Sequence, residues 1–145
     1  MNKKLQKVYL ISLITGGAIG LMSVIPFVAR FSIIILFTVI SVPLIFLFKK
    51  ENLIENINEK ENLKYGALIG IFSTLGFGII FYPLTYILSL FFKMEYMGGL
   101  GLMIKLMSFP LALMFIIFVC VISAIFNAFS AMIYYYVEES IKNFK

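Results

Sequence analysis

Apolar side chains fall into four long runs, and short polar or broken stretches separate them. The first run covers residues 8–28 and follows Lys3, Lys4 and Lys7. Its length of about 20 residues matches a hydrocarbon core about 30 Å thick, so a membrane span is expected there rather than a signal peptide. The second run covers residues 31–48, with only Ala29 and Arg30 in between. So tight a connection predicts an antiparallel helical hairpin. The third and fourth runs cover residues 65–92 and 107–137. At about 1.5 Å per helical residue both exceed a straight crossing, so each should tilt, bend or protrude. Gly76, Gly78 and Pro83 offer the third run places to bend.

Each span carries one proline, Pro26, Pro43, Pro83 and Pro110. Ordinary kinks are the expectation at these positions. Two connections differ in character. Residues 49–64 hold four Lys, four Glu and four Asn without Gly or Pro, and Leu53, Ile54 and Ile57 give them a weak helical stripe. Residues 93–106 are apolar but interrupted by Gly98, Gly99 and Gly101, and are expected to lie as a loop in the membrane interface. The pattern as a whole predicts an all-α, polytopic integral membrane protein. Its four transmembrane helices would form two antiparallel hairpins in a single domain spanning residues 1–145.

Composition supports lipid as the solvent. Hydrophobic residues make up 62% and charged residues 13%, against about 45–50% and about 25% in soluble domains. The net charge of +5 comes from Lys residues at the ends of apolar runs, which mark orientation, so no nucleic-acid partner is expected. Nine of the twelve Lys and Arg lie before the first run, in 49–64 and after the fourth run; only Arg30, Lys93 and Lys105 lie on the other side. The positive-inside rule then places both termini and the 49–64 loop in the cytoplasm of a cell-membrane protein. Tyr134, Tyr135 and Tyr136 end the fourth span at that interface.

Small residues recur at helical spacing. Gly16 and Gly20 form one Gly-x-x-x-Gly pair, Gly66 and Gly70 another. Such pairs let another backbone approach closely, either between spans of one chain or between copies. Gly16-x-x-x-Gly20-x-x-Ser23 also matches Gly66-x-x-x-Gly70-x-x-Ser73 fifty residues later. That similarity is read either as a parallel internal repeat or as chance among common membrane residues.

The fourth span carries the most polar intramembrane stripe. Ser123, Asn127 and Ser130 share one helix face, and Asn127 is the only side-chain amide inside a span. In lipid it needs a partner. It either lines a polar pocket or makes an interhelical hydrogen bond to a group able to fall back on its own helix, which would make Asn127→Leu nearly neutral. Glu51, Glu55 and Glu59 could share a stripe in the cytoplasmic loop, where nearby Lys residues favour a solvated charged helix over cation binding.

Absent residue types narrow the chemistry. The chain has no His and no Asp, and no Glu, Lys or Arg lies inside a span. Aspartyl and serine–histidine catalysis, zinc and b-type haem sites all need those groups. Cys120 alone cannot form an internal disulfide. No catalytic residue, metal ligand or cofactor is therefore expected. Small four-span multidrug exporters and fluoride channels match in size but not in residues. The exporters rely on a carboxylate in their first span, and residues 8–28 contain none. The expected role is non-enzymatic: an accessory, scaffold or assembly subunit in the lipid bilayer, forming homo-oligomers or packing against other membrane protein subunits. The alternative is a small permease or channel for an uncharged or hydrophobic solute, using the Ser123/Asn127/Ser130 face.

Overall fold

The computed structural model describes residues 3–54, 58–91 and 107–144. Among them are five helices and no strand: α1 (Lys3–Met22), α2 (Pro26–Thr38), α3 (Ser41–Lys50), α4 (Glu59–Phe91) and α5 (Phe109–Asn143). α1, α4 and α5 are each long and apolar enough to cross a membrane. α2 and α3 qualify as one further, bent span, which brings the count to three or four. The expected loop at 93–106 lies outside the described residues.

The first turn sits earlier than the apolar pattern suggests. The chain reverses at Ser23–Ile25, and Ala29 and Arg30 belong to α2. Pro26 explains the shift. Its fixed φ and missing N–H suit the first turn of a helix, and it drives the preceding residue out of the helical region. Ile25 is accordingly extended, with φ −78° and ψ 117°. Pro110 occupies the same kind of position at the start of α5. Pro83, by contrast, lies inside the continuous α4.

The polar connection is largely two helix ends. α3 continues to Lys50, and Asn52 takes a left-handed conformation with φ 51°. Asn tolerates that geometry better than most residues. The turn brings the Leu53 N–H to Phe48 O at 2.9 Å and buries Ile54. α4 then starts at Glu59, and the Asn58 side chain accepts the Glu61 N–H at 2.9 Å, which caps an otherwise unsatisfied donor. The expected stripe of Glu51, Glu55 and Glu59 therefore does not share one helix: Glu51 follows α3 and Glu59 opens α4. Glu55 and Ile57 lie outside the described residues.

α4 is the central element, packed most extensively against α5 and α1; contact between α1 and α2 is lighter. Glycine sets both close approaches. A Cβ on Gly16 would stand 1.8 Å from Ser73 O, and one on Gly20 would stand 2.9 Å from Phe77 O. Sequence numbers rise together, so α1 runs parallel to α4. On the other side a Cβ on Gly66 would lie 2.5 Å from Asn127 O, and one on Gly70 would lie 2.7 Å from Ser123 O. Numbers here run oppositely, so α4 and α5 are antiparallel. The two glycine pairs thus meet different partners. Val8, Phe48, Ile54, Ile69 and Ala131 share a buried cluster. It gathers the start of α1, the end of α3, the start of α4 and the end of α5 at one end of the bundle.

Candidate functional site

The second apolar run, read as continuous over 31–48, is broken. α2 and α3 are bent by 63° across residues Val39 and Ile40. Pro43 supplies the cause. It has no N–H for Val39 O four residues earlier, and its ring crowds that carbonyl. Val39 O accepts the Val42 N–H at 3.0 Å instead. Val39 and Ile40 N–H both turn back to Ile35 O, at 3.1 and 3.0 Å.

That rearrangement strands backbone groups. Leu36 O loses Ile40 as donor, Thr38 O loses Val42, and Phe37 O loses Ser41. Buried away from water, each open group would cost several kcal/mol. α5 supplies the replacements. The Asn127 side chain donates from Nδ2 to Leu36 O at 3.0 Å and to Phe37 O at 3.1 Å. Its Oδ1 accepts the Ser41 N–H at 2.9 Å. Ser130 Oγ donates to Thr38 O, and Ser41 Oγ donates to Asn127 O at 2.9 Å.

Asn127 therefore substitutes for the missing turn. Its one amide carries both a donor and an acceptor, as a peptide unit does. Two Nδ2 protons are shared among four oxygens, because Ser123 O at 3.0 Å and Ser123 Oγ at 3.2 Å are also in reach. The carbonyl end of α2 is the negative pole of its helix, which favours the partial positive charge of the amide hydrogens. Ser123 Oγ turns the other way and donates to Gly70 O at 3.2 Å, tying the site to α4.

All three residues of the polar stripe thus converge on one contact. Asn127 and Ser123 are 0% exposed, and Ser130 is half-buried. The partners across the contact, Leu36 O, Phe37 O and the Ser41 N–H, are not groups that fall back on their own helix. They are backbone atoms at a break, with nowhere else to turn. Ser41 is the polar member that the sequence pattern did not single out. Its signal was the position two residues before Pro43, inside the turn that the proline disrupts.

A second polar cluster closes one end of the bundle. Glu138 pairs with Lys49 from α3, and with Lys142 at 2.9 Å. The Lys49 ammonium also lies 5.2 Å from the Tyr134 ring centroid. Burial raises the Glu138 pKa, but hydrogen bonds and charge from Lys49 and Lys142 outweigh it and hold the carboxyl below its ordinary value. Nearby in sequence to the α4 start, Asn62 is 0% exposed and neither of its amide atoms has a hydrogen-bond partner. Among the described residues no group of three or more His, Cys, Asp or Glu could hold a metal ion.

No protein-family model, curated protein or solved structure matches the chain.

Proposed function

We propose that the chain crosses a cell membrane four times, with the bent α2–α3 pair as one span, and acts as a non-enzymatic accessory or assembly subunit. In this reading its helices form two hairpins and both termini face the cytoplasm. Other membrane subunits, or further copies of the chain, are its partners. The observation that carries the reading is the use made of Asn127. The most polar intramembrane side chain is fully enclosed, and its polar atoms hold the protein's own broken span. Permeation along the Ser123/Asn127/Ser130 face would need solute or water at that amide.

The glycine faces that could have paired with a partner are occupied within the chain, by α4 and α5. Of the apolar helix faces that remain exposed, the one on α5 is taken as the docking element. Phe118, Phe126, Phe129 and Ile133 are each more than half exposed along it. Photo-crosslinking residues at Phe126 and Phe129, with Ile14 of α1 as the reference, test the proposal in native membranes. Discrete protein adducts of constant mass from the α5 positions alone are expected. Lipid adducts alone at all three positions would remove the accessory reading.

A further inference from the structure

Between α2, α4 and α5 lies a cavity of about 160 Å³. Phe37 closes it from α2, Phe77 and Phe81 from α4, and Ala112 and Ile116 from α5. Two small residues make the room. Ala112 fills little of its own position, and a Cβ on Gly78 would only touch the Ile116 side chain at 3.4 Å. Phe115 also lines the cavity and is 46% exposed, so the space continues to the outer surface of the helices. Phe77, Phe81 and Ala112 are buried.

We propose that this cavity receives the end of a hydrocarbon chain from a bilayer lipid. Chemistry, size and surroundings each point to that occupant. Thr74 and Tyr82 are among the lining residues, but the surface the wall exposes to the space is carbon. Water needs two to four polar partners and finds none, and apolar cavities of this kind stay dry. A cavity of about 150 Å³ with such walls accepts a molecule the size of benzene, on the order of six carbons. That is too small for a whole lipid and fits the last segment of a tail. The helices around it are those apolar enough to lie in a membrane, so tails are the solvent outside. A phospholipid headgroup would find no charged side chain among the lining residues.

The position also links this site to the broken span. Phe37 presents its ring to the cavity and its carbonyl to Asn127. A chain end seated against Phe37 packs on the last turn of α2, the half-span that the Asn127 amide holds. This inference is independent of the accessory role, since it concerns a lipid and not a protein partner.

The test uses the full chain in phosphatidylcholine nanodiscs doped with a phosphatidylcholine that carries a diazirine at one acyl terminus. After photolysis, adducts are mapped by peptide mass spectrometry. Wild type should be labelled at Phe77, Phe81 or Ala112, which surrounding lipid does not reach, as well as at the exposed Phe129. Ala112→Phe should fill the cavity and cut labelling of Phe77 and Phe81 at least about tenfold while Phe129 labelling persists. Val119→Phe fills the same space from another turn of α5 and serves if the first variant does not fold. Moving the diazirine to the carbon next to the carboxyl should abolish the buried labels even in wild type. Labelling confined to exposed positions in wild type would overturn the proposal, and so would buried labels unchanged by both filling variants.

Discussion

Replacing Asn127 with Leu removes the one side chain that, among the described residues, serves both sides of the helix break. Three backbone groups lose partners: Leu36 O, Phe37 O and the Ser41 N–H. Interhelical hydrogen bonds in membrane bundles average about 0.6 kcal/mol and reach about 1.7 kcal/mol. A buried group left open costs about 1–3 kcal/mol. Taking about 1 kcal/mol for each of three groups gives roughly 3 kcal/mol, and apolar packing of the new side chain offsets part of it. The expected net loss is about 1–3 kcal/mol. Reversible unfolding in mixed micelles, followed by circular dichroism, measures it. Pro43→Ala restores an N–H for Val39 O and allows the helix to run through, so it should recover part of the loss in the double variant. Stability of Asn127→Leu within about 0.5 kcal/mol of wild type, the range of an ordinary surface change, would refute the reasoning.

Four further outcomes follow from the geometry. Gly16→Ala should destabilise by about 1–3 kcal/mol because its Cβ would meet Ser73 O, whereas Gly78→Ala, with only ordinary contacts, should be neutral or stabilising by up to about 1 kcal/mol in the same assay. Asn62→Leu should raise the melting temperature, since it removes a buried amide that has no partner; a fall would show that the amide is satisfied in solution. Glu138 has a folded-state pKa below its ordinary 4.5, so its stabilisation is present above that value and is lost as pH falls through the lower folded value; Lys49→Gln should flatten that acid-side change in melting temperature. A cysteine at the exposed Lys50 should resist an impermeant thiol reagent applied outside intact cells, and ready labelling would reverse the proposed orientation.

The all-α character and the membrane setting were legible because run length and charge placement depend on the solvent alone. Asn127 stood out for a similar reason, as an isolated amide in a long apolar run. Its partner did not. The apolar run at 31–48 has the length of a straight span, and only Pro43 hints that hydrogen bonding fails around Val39. Which side chain fills such a gap depends on how α5 lies against α2, and no local pattern encodes that. The glycine spacings marked close approach, but not which helix approaches. Gly16 and Gly66 have similar neighbours in sequence, yet one meets α4 and the other meets α5. The break between Met22 and Pro26 was misplaced by apolarity alone, since hydropathy is blind to the turn there; the conformational rule of proline would have located it. Lys49 and Glu138 are 89 positions apart, and their pairing follows only from the fold.

The bend in the second span has a consequence for the order in which the protein is built. Ribosomes deliver chains from the N-terminus, and Ser41 leaves well before Asn127, its partner 86 positions downstream. Until α5 reaches the bilayer, residues 36–42 must satisfy their own backbone groups in lipid. The most economical way is to stay as straight as Pro43 permits. In the four-span reading, the nascent second span keeps the kink that Pro43 imposes and reaches its full bend only when α5 supplies the Asn127 amide. Any product that stops short of α5 keeps three apolar segments but not the native angle between α2 and α3. Such a fragment would differ in shape from the same residues in the finished protein, and a quality-control protease could read that difference.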